Sequence, residues 1–247
     1  MRLTVTEILD RLLNDDKILT KEGRIFFTLG DVNIIVRQRD VVGNIMQEWV
    51  EGWLKKNGID YALNDNTQMP PDFFLNPDNK KEDLMEIKAF NYKAGPGFDI
   101  ADFRMYEQEI AHKPWMLYVT YLIFGYEMDD KGVVTIKKVW KTKIWEMSRP
   151  MKSGANKTIW PINLQIKKGT VHKIRPAKWY SKSTKFSTFE CIEDFLSAME
   201  ETVYKNKDTR DDGPEWLSTV ISNYEKYYGK KLVIPRWNDI ASKYVEG

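Results

Sequence analysis

The sequence is poor in the side chains that most often build a metal or nucleophile centre. It holds one cysteine and two histidines in 247 residues. A lone Cys191 excludes an intramolecular disulfide and suits a reducing compartment. One cysteine and two histidines leave too few ligands for an ordinary structural zinc site. No apolar run approaches the length of a membrane span, and no membrane partner is expected. The opening MRLTVTEILDRLL carries charges inside its apolar pattern and lacks a small-residue cleavage site, unlike a signal peptide. Internal repeats and low-complexity tracts are absent. Net charge is only +2, so the chain as a whole is not a polybasic binder. One absence is local: from Met147 to Phe189 there is no aspartate or glutamate at all.

What is present describes a folded, aromatic-rich protein. Nine Trp and twelve Tyr exclude a disordered chain, and the length suits one large domain. The expected division is a core over 1–146, a basic segment over 147–189 and a helical part over 190–247, all within one domain spanning 1–247. Thr4 or Thr6 caps a first short helix. Arg24 to Leu29 and Val32 to Arg37 read as two strands around Gly30-Asp31, a scaffold hairpin. Val41 to Asn57 is a helix with the apolar stripe Val42, Ile45, Met46, Trp49 and Trp53, stopped by Gly58. On that helix Glu48 stands at the edge of the stripe, facing a cleft, and Glu51 faces water. Asp99 is expected to cap a helix running to about His112. Trp115 to Met128 reads as one long buried strand, Val133 to Lys137 as its neighbour, and Lys138 to Met147 as a short helix. Helices follow over Cys191 to Val203, from Pro214 to Tyr228, and around Trp237 and Tyr244. This order predicts an α/β (α+β) fold: a central mixed β-sheet flanked by helices, with a β-ribbon and a C-terminal helical lobe.

The stretch Met69 to Phe90 concentrates the chemistry. It contains Pro71-Asp72 and, after thirteen residues, Glu86-Ile87-Lys88. Side chains alternate between faces in a strand, so Met85, Ile87 and Ala89 point into a core while Glu86 and Lys88 point the other way together. Pairing with Asp72-Phe73-Phe74-Leu75 through the polar loop Asn76 to Asp83 brings Asp72 and Glu86 to one point. Two close carboxylates repel unless a cation sits between them, and oxygen ligands suit Mg²⁺, with Mn²⁺ as a substitute. The main-chain carbonyl of Ile87 is a further candidate ligand, Lys88 is placed to orient an attacking water, and Glu48 is an accessory acid. The pattern reads as metal-dependent phosphodiester hydrolysis. An exposed ion pair on a surface strand is the plain alternative. A histidine-metal finger nuclease needs a catalytic His with supporting ligands, and a phospholipase-type nuclease needs paired His-x-Lys motifs; neither fits, since His112 and His172 are each followed directly by lysine, and both read as polar surface residues.

The acid-free window carries ten basic residues: Arg149, Lys152, Lys157, Lys167, Lys168, Lys173, Arg175, Lys178, Lys182 and Lys185. Trp160, Asn163, Gln165, Trp179 and Tyr180 are interleaved with them. Positive charge without counter-acid is the footprint of a phosphate-backbone binder. Ile162 to Ile174 looks like a two-stranded ribbon turning at Lys168-Gly169, of a size to enter a major groove. Lys173 and Arg175 are the expected guanine readers, with Gln165, Lys167 and Lys168 beside them. Asn91 and Lys93, just past Lys88, are expected to meet DNA near the scissile bond.

Pro71-Asp72 with Glu86-Ile87-Lys88 matches the PD-(D/E)xK nuclease pattern, and Glu48 sits where many such enzymes place a helix glutamate. The stretches KEGRIFFTLGDV, RDVVGNIMQEW, MPPDFFLNPD, KAFNYKAGPGFDIADF, YLIFGYEM and WPINLQIKKGTVHKIRP resemble the NgoBV/NlaIV type of Type II restriction endonuclease over most of residues 1–180. The resemblance implies a Mg²⁺-dependent homodimer that cuts double-stranded DNA within the palindrome GGNNCC and leaves 5′-phosphates. It makes Asp72, Glu86 and Lys88 the catalytic set and Glu48 the accessory acid. It further implies a bacterial cytoplasmic protein paired with a DNA methyltransferase that it does not physically bind. A repair or junction-resolving nuclease of the same fold, and a non-catalytic DNA-binding protein, are the alternatives.

Overall fold

A computed structural model describes residues 1–66, 69–154, 157–181 and 186–245. Lys182 and Lys185 of the basic window lie outside the described residues. In chain order the elements are α1 (Val5–Asp10), β1 (Glu22–Gly23), β2 (Phe26–Leu29), β3 (Val32–Ile35), α2 (Val41–Lys56), β4 (Ala62–Leu63), β5 (Phe73–Phe74) and β6 (Leu84–Asn91). Then come β7 (Ala101–Asp102), α3 (Phe103–His112), β8 (Thr120–Met128), β9 (Val134–Thr142), β10 (Met151–Ser153), β11 (Thr158–Trp160), β12 (Leu164–Lys167) and β13 (Thr170–Ile174). Three helices follow, α4 (Ile192–Lys205), α5 (Gly213–Tyr228) and α6 (Trp237–Tyr244).

The chain divides into two compact units. The first gathers residues 1–65, 71–98 and 120–142, and the second takes 66–70, 99–119 and 143–247. The first unit is built on a six-stranded mixed sheet in the order β1-β9-β8-β6-β5-β4. Only β6 and β8 run parallel; the other neighbours are antiparallel. In the β6–β8 register Ile87 lies beside Leu122 and Ala89 beside Phe124, so these four share a face. Leu122, Phe124, Met85 and Ile87 join Met46, Val50 and Leu54 of α2 and Ile8 and Leu12 near the N-terminus in one buried cluster. α1 starts on a full capping box, Thr4 with Glu7, as its sequence predicts. Gly58, at a φ of +62°, takes the left-handed turn that ends α2.

Aromatic rings cover part of the opposite face. Phe90 stacks on Trp140 with centroids 5.6 Å apart, and Tyr92 lies 6.1 Å from the same ring. Gly125 lets them pass: a Cβ there would stand 2.9 Å from Trp140 and 3.0 Å from Tyr92.

The second unit contains a three-stranded sheet, β12-β13-β7, the pair β10-β11, and helices α3 to α6. Trp216 of α5 donates its indole N–H to the Glu107 carbonyl of α3, and Tyr118 and Tyr224 share a hydroxyl contact. Among the described residues no helix is long and apolar enough to cross a membrane.

Four local expectations change. Trp115 to Met128 is not one strand: Pro114–Tyr118 forms a 3₁₀ turn, and the strand begins at Thr120. An unbroken apolar run does not distinguish a buried turn from a buried strand, and Pro114 favours the start of a helical turn. The segment from Lys138 is not a helix but the second half of β9, followed by a 3₁₀ turn at Trp145–Met147. A register shift leaves Lys137 unpaired, because Gly125 faces Lys138 and Tyr126 faces Ile136. That bulge puts the buried pair Ile136 and Val139 three residues apart, which imitates helical spacing. The cap of α3 is Asp102, which accepts from the Met105 N–H at 3.1 Å, rather than Asp99. The ribbon also gains a third strand, β7, paired with β13 through Asp102 and Lys173.

Candidate nuclease site

Asp72 immediately precedes β5, and Glu86 and Lys88 lie on β6. Pairing of Phe73 with Met85 and Phe74 with Leu84 puts Phe73 and Met85 on the core side and turns Asp72 and Glu86 to the other. Phe73 is fully buried and meets the ring of Tyr61 edge-on at 5.6 Å. The Asp72 carbonyl accepts from the Asn64 N–H, so the main chain at Asp72 is tied to the strand beside it.

The side chains then interlock. Asp72 Oδ2 accepts the Ile87 N–H at 2.7 Å. Lys88 Nζ lies 2.7 Å from Glu86 Oε1. Glu86 is only 4% exposed, and its other oxygen, Oε2, is buried without a hydrogen-bond partner. Burial pushes the Glu86 carboxyl up to about 7; the Lys88 ammonium works against that rise and the Asp72 charge adds to it. Burial also raises Asp72, opposed by the Ile87 N–H and by Lys88. In an extended strand a residue's N–H and C=O point to the same side, so Ile87 presents its carbonyl on the Asp72 side of β6.

This donor set fits a hard divalent cation. Two carboxylates converge, one buried oxygen lacks a partner, and a main-chain carbonyl faces the same side. Among the described residues no group of three or more His, Cys, Asp and Glu gathers as a metal centre. Mg²⁺ is commonly held by one or two carboxylates, with waters and substrate phosphate completing its shell.

Glu48 is not brought to this point. It is exposed on α2, and the buried side of that helix joins the face of Met85 and Ile87, opposite Glu86 and Lys88. Glu51, read as the water-facing acid, is instead engaged: it accepts from the Tyr61 hydroxyl at 2.9 Å and pairs with Lys55 at 2.6 Å. Helical angle alone does not show that Tyr61, beyond the helix, folds back onto that side. His112 and His172 are both exposed.

Asn91 closes β6, and Lys93 pairs with Glu127 at 3.3 Å while staying largely exposed. In the second unit Gln165 is half-buried, and Lys167 and Lys168 are exposed at the β12–β13 turn, where Lys168 and Gly169 both take positive φ. Lys173 and Arg175 carry partners that the acid-free window did not suggest: Asp102 at 3.4 Å and Asp99 respectively. Those acids stand some seventy residues earlier in the chain, so only tertiary structure reveals them.

The sequence pattern of the NgoBV restriction endonuclease family matches residues 2–244. The chain is 55% identical over 245 residues to the Type II restriction enzyme NlaIV of Neisseria lactamica, covering 99% of this chain and 98% of the relative. It is 51% identical over 168 residues to the Type II restriction enzyme NgoBV of Neisseria gonorrhoeae, covering 68% of this chain and 92% of that one. The solved NlaIV restriction endonuclease superposes with a TM-score of 0.94 at 54% identity, over 100% of this chain and 98% of that one.

Proposed function

The chain belongs to the NgoBV restriction endonuclease family, and from that premise we propose that it is a Type II restriction endonuclease whose chemistry is carried by Asp72, Glu86 and Lys88. The observation that carries the reading is the buried, partnerless Glu86 Oε2 beside Asp72 and Lys88.

Asp72 and Glu86, with the Ile87 carbonyl, would hold a divalent cation, Mg²⁺ by resemblance. When bound, the cation acidifies water and offsets charge building on the phosphate. Lys88 orients the attacking water by hydrogen bond and adds positive charge near the scissile phosphate. The Ile87 N–H holds the Asp72 carboxylate by a hydrogen bond, so the two acids would meet a cation preorganised.

Double-stranded DNA is the substrate, and the resemblance supplies the finer reading: recognition of GGNNCC, 5′-phosphate products, and a methyltransferase protecting the same site in a bacterial cytoplasm. A palindromic site is matched most simply by a C₂ homodimer. Lys167 and Lys168 are free to meet phosphates, with Gln165 beside them, and Asn91 and Lys93 meet DNA next to the cut. Lys173 and Arg175 read bases by exchanging Asp102 and Asp99 for guanine edges, whose acceptors they match. Glu48 stays in the scheme as an accessory acid acting through solvent.

Digestion of a plasmid of known sequence in Mg²⁺, Mn²⁺ and EDTA, with end mapping, tests this reading. Discrete metal-dependent fragments ending inside one short palindrome are expected. Sequence-independent nicking would replace the reading with a repair or resolving nuclease, and tight binding without cleavage would reduce it to a DNA-binding module.

A further inference from the structure

The β2–β3 hairpin exposes what a hairpin ordinarily buries. Its register pairs Phe27 with Ile34 and Leu29 with Val32, so these four side chains share one face. They are 55%, 50%, 72% and 65% exposed. On the other face Phe26 and Ile35, also paired, are 60% and 36% exposed. The hairpin's root is nonetheless fixed: Val36 donates its N–H to the Ile25 carbonyl, and Ile35 and Val36 close on Gly132, where a Cβ would stand 2.8 Å from the Ile35 side chain. The second face is mixed, because the exposed pair Thr28 and Asn33 stands beside Phe26 and Ile35, but the four apolar side chains of the first face are contiguous, unlike the scattered apolar exposure normal for a monomer.

The same unit offers a complementary recess. It opens at the hairpin's root, has a volume of about 300 Å³, and is lined by Ile18, Ile25, Ile45, Met46, Trp49 and Trp53 among others. An apolar cavity of roughly 150 Å³ takes one benzene-sized group, so this recess has room for about two large apolar side chains. Lys21, Arg24 and Lys56 stand around it with Asp16 and Glu22, and Asp16 already accepts the Trp53 indole N–H at 2.7 Å. The hairpin tip carries Asp31 next to Gly30. An acidic-tipped apolar protrusion and an apolar recess with excess positive charge therefore belong to one surface.

We propose that this hairpin and recess form the interface with a second copy of the chain, the hairpin of each protomer seated in the recess of the other. A protrusion and its acceptor on one continuous surface satisfy a two-fold axis twice, which is what an isologous dimer requires. DNA is the poorer occupant, because the face of Phe27, Leu29, Val32 and Ile34 offers phosphate no donor and the tip is acidic. The inference rests on the homodimer proposed above for its occupant; the nuclease chemistry does not depend on it.

The test is the solution mass of the full chain by light scattering at about 20 μM, without DNA. The native chain is expected at twice the mass of one chain. The double variant Phe27→Asp/Leu29→Asp, altered only at exposed positions, is expected at the single mass, with affinity weakened on the order of 100-fold and an unchanged circular dichroism spectrum. Ile45→Lys, in the recess wall, is expected to dissociate as well. An equimolar mixture of hairpin and recess variants recovers one of the two contacts and associates more tightly than either alone. A native monomer, or a hairpin variant that stays dimeric, overturns the proposal. So does a recess variant or a mixture that leaves association unchanged, which would mean hairpin stacks on hairpin. Lost DNA binding at unchanged mass would place the hairpin on nucleic acid instead and also overturn it. Because mass is read without substrate, a failure here is separable from a failure of the nuclease reading.

Discussion

Two buried glutamates, one in each unit, meet the same electrostatic problem with different company. Glu86 on β6 is 4% exposed and Glu107 on α3 is 1% exposed. Each keeps one carboxylate oxygen without a hydrogen-bond partner, and burial pushes each up to about 7. Around Glu86 stand Asp72, Lys88 and the turned-out edge of Ile87. Around Glu107 the charged influences are Asp212, which raises it further, and Arg104, which lowers it. A strained acid is therefore no mark of catalysis by itself. What separates the two is a second carboxylate tied to the neighbouring strand and a lysine within hydrogen-bond reach.

The sharpest test of that contrast is the paired substitution to glutamine. Glu86→Gln is expected to lower the rate of plasmid cleavage by on the order of 10³-fold or more, since it removes a cation ligand. Glu107→Gln should leave that rate within about twofold. Equal losses would erase the distinction drawn here.

Stability should separate them the other way. A carboxyl raised on folding keeps its proton more tightly in the folded state, so its contribution is fullest below the unfolded value near 4.5 and is lost as pH rises to about 7. Glu107→Gln removes that loss and is expected to stabilise the chain by about 2 kcal/mol at pH 8 and negligibly at pH 4. Glu86→Gln should gain less, because it also gives up the ion pair with Lys88. Urea unfolding at the two pH values reads both.

A third effect belongs to Glu86 alone. Below about 7 a proton competes for its carboxylate, so divalent-cation affinity should fall by about tenfold per pH unit there and level off above. Titration calorimetry without DNA tests this, and a flat profile from pH 5 to 8 would remove Glu86 from the ligand set. The smallest effect is expected from Glu48→Gln, within about threefold in cleavage rate, since Glu48 is exposed on the helix that covers the other sheet face. A larger loss would give it a closer part than that of an accessory acid acting through solvent.

The convergence of Asp72, Glu86 and Lys88 was legible in sequence because its signals are local. Two-residue alternation places Glu86 and Lys88 together, and a short polar loop closes Asp72 onto them. The helices α2, α4 and α5 were legible for the same reason, each carrying its own apolar stripe. What failed was non-local or phase-shifted. Lys137 bulges out of β9 and shifts the apolar spacing, so a strand reads as a helix. Asp99 and Asp102 neutralise Arg175 and Lys173 across a long stretch of chain, so an acid-free window overstates the free charge. The β2–β3 hairpin alternates well enough to read as scaffold, yet beyond the root that closes on Gly132 its apolar residues stay exposed.

The first unit is sewn from three separate lengths of chain, 1–65, 71–98 and 120–142, with the excursion 99–119 given to the other unit. The strand that carries Glu86 cannot gain its parallel neighbour until β8 has been synthesised, more than thirty residues later. On the ribosome the sheet therefore completes late, and the proposed site on β5 and β6 gains its full sheet only after the antiparallel strand β9 has emerged as well. Such long-range pairing is slow to form. For a protein that cleaves DNA, this order of assembly delays the hazard until most of the chain is made. It also means that no single contiguous fragment ending before residue 142 can be expected to cut.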